Sequence, residues 1–231
     1  MVEARLKENL DRVLERIAAA ARRSGRQARQ VTLVAVVKRR PIEAVRTLYT
    51  FGVRDVGENY PQELWEKSAA LNDLEIRWHL IGHLQSNKAK KTWPMVHMVH
   101  GVDSLKLLRV LDELSVGLAR PASVCLQVNA SGEATKHGWT PEALLADSEA
   151  IAACQHVPIM GLMTMAAPCD DPEEVRPTFT RLRDLLELLR QRTGLALPEL
   201  SMGMSGDYEV AIEEGATMVR VGTALFEGAL P

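Results

Sequence analysis

The apolar residues of this chain switch repeatedly between a helical spacing and short unbroken runs. Leu6, Leu10, Val13, Leu14 and Ile17 recur at helical spacing with charges between them, and Gly25 follows, which predicts an amphipathic N-terminal helix. The next segment, VTLVAVV at 31–37, carries no such period: five of its seven residues are valine or leucine. A parallel strand buried on both faces reads as this kind of run. A helix opened by Pro41 and reaching Phe51 follows, with Gly52 as its stop. The alternation then continues. Strands are predicted at VRDVGE, EIRWHLIG, MVHMVHGV, ASVCLQVNA, VPIMGLMTM, ELSMGM and MVRVGTALF. Between them lie helices at PQELWEKSAAL, SNKAKKTW, SLKLLRVLDELSVGL (capped by Ser104), TPEALLADSEAIAAC (capped by Thr140), Pro172 to Arg192, and SGDYEVAIEEG.

Eight strand-then-helix alternations, counting a short closing turn after the eighth strand, predict an α/β fold: a single (β/α)8 TIM-type barrel with an extra N-terminal helix. A doubly wound open sheet is the runner-up, because alternation does not count closure. No linker or low-complexity tract divides the chain, so residues 1–231 read as one domain. In a barrel the active site lies where strands run out into the following loops. Lys38, Glu58, Asn59, His79, Asn129, Met163, Thr164, Ser205 and Arg220 all fall at or near such ends.

Composition narrows the function class. With 28 basic and 30 acidic residues the net charge is -2, so no basic field argues for nucleic acid or an anionic membrane. Three cysteines without a C-x-x-C pair fit a reducing compartment. The charged N-terminus lacks a signal-peptide core, and no apolar segment approaches a membrane span. The expected location is the cytoplasm.

The candidate chemistry starts with Lys38, a charged amine closing a buried strand. One reading is a lysine that snorkels to the surface; the other is a nucleophilic amine held in a pocket, ready to form a Schiff base. Ser205, Gly206 and Asp207 stand between a strand and a helix, where backbone N–H groups bind anions, or where a serine or aspartate simply caps the helix. Gly222 and Thr223 leave the eighth strand, and barrels often bind phosphate between the loops after strands seven and eight. In MVRVGT the valines at 219 and 221 share one face, so Arg220 points to the other. It serves either a ligand or an ion pair with a carboxylate such as Glu58. An amine, a phosphate cradle and a permanent cation that donates to a ring nitrogen together describe a pocket for pyridoxal 5'-phosphate. Other features carry less weight. His79, His83, His97 and His100 invite a metal reading, but without a ligand pattern nearby they read as satisfied or exposed histidines. The lysines of SNKAKKTW read as a solvated face. Met163 and Met165 share a strand face and are read as packing or as pocket lining.

Six stretches carry a family resemblance: LVAVVK, VGENYPQEL, WHLIGHLQSNK, QVNASGEATKHG, GLMTM and LSMGMSGDYEVAIEEGATMVRVGTALFEG. They span essentially the whole chain, and in this order they resemble the pyridoxal phosphate homeostasis proteins of the YggS/PROSC type. The resemblance implies an alanine racemase N-terminal-domain-like barrel with pyridoxal phosphate on Lys38 as a Schiff base. It implies phosphate contacts from Ser205, Gly222 and Thr223 and a ring-nitrogen contact from Arg220. Asn59, His79, Met202 and Ser201 match blocks around the pocket. Val37, Pro61 and His83 depart from the family's usual residues and bear on the polarity around Lys38.

Such proteins are regarded as cofactor binders that maintain vitamin B6 balance without an established turnover reaction. The implied partners are pyridoxal phosphate and apo forms of the enzymes that use it, with the chain a monomer. The alternative is a weak amino-acid racemase. Related racemases take a second acid/base, a tyrosine, from a further domain across a dimer, and this chain is expected to lack that domain. A third reading is a barrel that binds a phosphorylated metabolite through the same cradle without a covalent bond.

Overall fold

The computed structural model describes residues 2–132 and 137–229, so part of the QVNASGEATKHG stretch lies outside the described residues. Eight parallel strands close into a barrel in chain order: β1 (Thr32–Val36), β2 (Asp55–Glu58), β3 (Arg77–Leu80), β4 (Met98–Val102), β5 (Ser123–Gln127), β6 (Ile159–Met163), β7 (Glu199–Ser201) and β8 (Met218–Val221). Closure decides against the open sheet. β8 returns to pair with β1, with Leu33 beside Val219 and Val34 beside Arg220.

The helices lie where the 3.6-residue period places them. The chain begins with α1 (Val2–Arg23), and α2 (Ile42–Thr50), α3 (Pro61–Ala70), α4 (Ser86–Thr92) and α5 (Leu105–Ser115) follow the first four strands. The single helix expected at 140–154 is two, α6 (Pro141–Ala146) and α7 (Ser148–Ala152). They break at Asp147, whose carboxylate accepts from Trp139 Nε1 at 2.8 Å. The last three are α8 (Arg176–Thr193), α9 (Tyr208–Glu213) and the one-turn α10 (Thr223–Phe226). The Ser104 and Thr140 side chains accept the N–H groups of Leu107 and Ala143, as their N-cap positions require. α1 buries Leu6, Leu10, Val13 and Ile17, while Leu14 is exposed. Asn9 Nδ2 ties this helix to the carbonyls of Leu225 and Glu227, both at 2.9 Å.

Strand parity divides the interior into two shells. Trp78, Leu80, Val99, Val219 and Val221 pack between barrel and helices in the main apolar core. The alternate positions fill the barrel itself. Met98, Cys125, Met163 and Met218 form one cluster there, and Val34, Val36 and Ile81 another. Burial pushes the Cys125 thiol up to about 12, which makes it an inert packing group. Between the clusters runs a polar seam of Asp55, His79, His100, Ser201 and Arg220. Among the described residues no helix is long and apolar enough to cross a membrane.

Candidate functional site

Lys38 lies in the turn after β1 and lines a cavity of about 380 Å³ at the C-terminal mouth of the barrel. The turn is held from α3. Lys67 Nζ donates to Val37 O at 2.8 Å and to Glu58 Oε2 at 2.6 Å, and the Arg39 N–H donates to Glu63 Oε2 at 3.0 Å. Lys67 and Glu58 are both buried, so each charge depends on the other. Arg39 takes a left-handed φ of 57°, uncommon for a residue with a side chain, which turns the chain sharply at the cavity edge. The Lys38 amine itself makes no hydrogen bond or ion pair among the described residues. It is available.

Across the mouth, the loops after β7 and β8 meet. Ser205 Oγ accepts from the backbone N–H groups of Gly222 at 3.2 Å and Ala224 at 3.3 Å. Two N–H groups converging on one oxygen form an anion-type arrangement, filled here by a neutral hydroxyl. A Cβ on Gly222 would lie 3.2 Å from Val36 Cβ, so a side chain there would crowd β1.

Arg220 reaches the cavity from the barrel interior. Its guanidinium is buried, and burial pulls its pKa down to about 10, far enough above neutrality to keep the charge. Nη1 donates to Ser201 Oγ at 2.7 Å and Nη2 to Thr164 O at 2.9 Å. Five donors less these two leave N–H groups for a ligand. Its two hydrogen bonds go to a hydroxyl and a carbonyl, and the Asp207 carboxylate acts on it through space. Glu58, the partner the sequence offered, is committed to Lys67.

Behind Arg220 a hydrogen-bonded line crosses the barrel. Ser201 Oγ meets His100 Nδ1 at 2.6 Å, His100 Nε2 meets His79 Nδ1 at 2.8 Å, and His79 Nε2 meets Asp55 Oδ1 at 3.1 Å. Arg77 closes the far end on both Asp55 oxygens, at 2.6 and 2.5 Å. Burial alone would raise the Asp55 carboxyl, but the hydrogen bonds from Arg77 and His79 outweigh it and hold it well below the usual carboxylate range. Burial, reinforced by His79 and Arg220, likewise holds His100 well below an ordinary imidazole.

Six of the eight residues expected at the pocket line this cavity: Lys38, Asn59, Ser205, Arg220, Gly222 and Thr223. His79 and Met202 do not. His79 has both ring nitrogens engaged deep in the barrel. Met202 follows the inward-facing Ser201 and therefore turns outward into the apolar core. Met165 and Met204 supply the sulfur-bearing wall instead. Of the four histidines of the metal reading, three sit together, with His79 and His100 bonded to each other and His97 packed edge-on to His79, while His83 lies apart at the surface. A larger groove of about 710 Å³ runs between α6 and α8, but Lys38 and Arg220 are not among the residues lining it.

The family model for the alanine racemase N-terminal domain matches residues 9–229. The chain belongs to that family. The pyridoxal phosphate homeostasis protein of Pseudomonas aeruginosa is 46% identical over 219 residues, covering 95% of this chain and 94% of the relative. Among solved structures, PipY of Synechococcus elongatus with PLP bound superposes with a TM-score of 0.81 at 40% identity, over 93% of this chain and 99% of that one. Alanine racemase from Corynebacterium glutamicum matches 94% of this chain but 60% of its own, with a TM-score of 0.69. At 19% identity, that likeness is one of fold alone.

Proposed function

We propose that the protein binds pyridoxal 5'-phosphate at the barrel mouth, held as a Schiff base on Lys38, and serves the intracellular homeostasis of that cofactor without a turnover reaction of its own. One observation carries the reading: an unpartnered lysine amine, a charged buried arginine and a two-loop anion cradle all open into one cavity. Its volume lies within the ordinary range for small-molecule sites, about 300–1,000 Å³. In this reading Lys38 takes the aldehyde, Ser205, Gly222 and Thr223 take the phosphate, Arg220 takes the ring nitrogen, and Asn59 and Met204 line the walls. The named relatives and the PLP-bound PipY support the same ligand. When bound, the cofactor supplies an aldehyde and an electron-drawing pyridine ring. An arginine at the ring nitrogen donates a hydrogen bond but gives up no proton, which weakens that electron sink. The proposed setting is a cytoplasmic monomer that passes the cofactor to apo-enzymes.

Purified protein mixed with the cofactor should show a visible absorption band that Lys38→Ala lacks. Borohydride treatment should leave a pyridoxyl mass on Lys38. A colourless protein that takes up no cofactor ends the proposal, and uptake without the covalent mass favours a non-covalent phosphate binder.

The racemase reading needs a second acid/base. Tyr208 is buried with its hydroxyl unbonded, Tyr49 lies under the Arg54 guanidinium, and Tyr60 is exposed at the start of α3. None of the three lines the cavity. Cofactor-dependent deuterium exchange at the alpha carbon of alanine above the free-cofactor rate would revive that reading.

A further inference from the structure

His83, Asp103 and His137 follow three consecutive strands, β3, β4 and β5, and gather on the same rim of the barrel. One donor atom from each lies within 4.8 Å of the others. His83 Nδ1 and Asp103 Oδ2 are 2.8 Å apart, and the two imidazoles face each other with centroids separated by 5.3 Å and planes inclined by 24°. Two imidazoles that ligate one metal ion at about 2.0–2.1 Å, with tetrahedral angles, have their centroids about 5 Å apart. The centroid separation is that of a ligated pair, but the rings are stacked, so one imidazole must turn until the ion lies in both ring planes. Donors on one ion stand roughly 3.3 Å apart by the same geometry, so the widest gap has about 1.5 Å to close. Rotation of an exposed imidazole covers that distance.

The backbone beneath is fixed. Gln127 Nε2 donates to His137 O at 3.1 Å, and Val128 and Trp139 form a parallel bridge directly after it. Gly138, at φ 114°, brings the strand back so closely that a Cβ would lie 2.6 Å from Gln127 O. A Cβ on Gly101 would similarly meet Gly82 O at 2.7 Å, so the chains carrying Asp103 and His83 touch. Donors mounted on pinned backbone lose little entropy on binding an ion.

We propose that His83, Asp103 and His137 bind a divalent transition-metal ion of the zinc class. Two nitrogens and one carboxylate oxygen suit Zn²⁺ or Co²⁺ and disfavour Mg²⁺ and Ca²⁺, which take oxygen. Three protein donors leave at least one position for water or an anionic ligand. The ion ties His137 to the rims of β3 and β4. The site is separate from the Lys38 cavity, whose lining includes none of the three donors.

Titration of the full untagged chain with Co²⁺, followed by its visible d–d bands and by displacement with Zn²⁺, tests this. One equivalent per chain is expected. His83→Ala and His137→Ala should each weaken binding on the order of a hundredfold, with circular dichroism unchanged. His156→Ala, at an exposed histidine elsewhere, should bind as wild type, and so should Lys38→Ala, which separates this site from the cofactor proposal. Binding unaltered by His83→Ala and His137→Ala overturns the assignment. So does the absence of a saturable equivalent in the wild type.

Discussion

His100 Nδ1 and Ser201 Oγ lie 2.6 Å apart inside the barrel, although 101 residues of sequence separate them. Arg220 donates to that same oxygen, so the serine proton must go elsewhere, and His100 Nδ1 is the acceptor within reach. His100 Nε2–H then donates to His79 Nδ1, and His79 Nε2–H donates to Asp55. The opposite polarity leaves the Ser201 hydroxyl proton without an acceptor. The line therefore has one direction, from the arginine at the cavity to the carboxylate at the far end. It also orients Arg220 through the Ser201 hydroxyl, a neutral acceptor. Ser201→Ala strands two buried polar groups and should cost about 1–3 kcal/mol for each one left unsatisfied. Urea unfolding measures this, and Ser201→Thr, which keeps a hydroxyl, should recover most of it. Nitrogen-15 spectra should find His100 Nδ1 unprotonated; a protonated Nδ1 refutes the direction.

The same line makes the fold acid-sensitive. Asp55 and His100 both have folded-state pKa values below their ordinary ones. Each therefore contributes stability that is full above its unfolded pKa and is lost as pH falls, because the unfolded chain binds the proton more readily. His100 begins to act below about pH 6.5, and Asp55 below about pH 4. Melting temperature should fall steadily on acidification from neutrality, with His100→Asn flattening the decline nearest neutral pH. A melting temperature that rises between about pH 7 and pH 5 contradicts this assignment.

Lys67→Met tests the clamp beneath Lys38. It removes the partner of a fully buried Glu58 and should cost about 3–5 kcal/mol. Adding Glu58→Gln should return part of that loss, since no buried charge is then unpaired. Cofactor uptake should fall further than stability predicts, because Val37 O loses the hydrogen bond that fixes the Lys38 turn. Equal uptake by wild type and the folded double variant would show that the clamp serves stability alone.

Much of this architecture was legible in the apolar pattern. The continuous run at 31–37, the valine pair around Arg220 and the strand–helix repeat rest on periodicity, which needs no knowledge of distant contacts. Closure was not, because pairing of β8 with β1 is a non-local event. Lys38, Ser205 and Arg220 were legible as polar residues at strand ends. His79 and Met202 match sequence blocks around the pocket but do not line the cavity, because such a match says nothing about depth along a strand or about parity. The barrel seam was the harder case. Asp55, His79 and His100 sit on the inward parity of three successive strands, a signal present in the sequence but masked by the apolar residues beside them. Lys67 gave no signal, since a lysine in an amphipathic helix reads as solvated until its buried partner is known.

The phosphate cradle can be separated from the amine with a single glycine. Gly222 packs against Val36, and its N–H is one of the two that converge on Ser205 Oγ. Gly222→Val would force the β8 loop away from β1 and turn that N–H out of line, while the Lys38 amine is kept and the Arg220 guanidinium stays tied to Ser201 and Thr164. A charge-assisted hydrogen bond is worth about 1.5–3 kcal/mol, so affinity for pyridoxal 5'-phosphate should fall roughly ten- to a hundredfold. Pyridoxal, which has the same aldehyde and ring but no phosphate, should bind the variant and the wild type within about twofold. The ratio of the two affinities is therefore the quantity to measure, since a general loosening of the mouth weakens both ligands together. Equal losses for pyridoxal and its phosphate would remove the loops after β7 and β8 from phosphate recognition, even if Lys38 still captured the aldehyde.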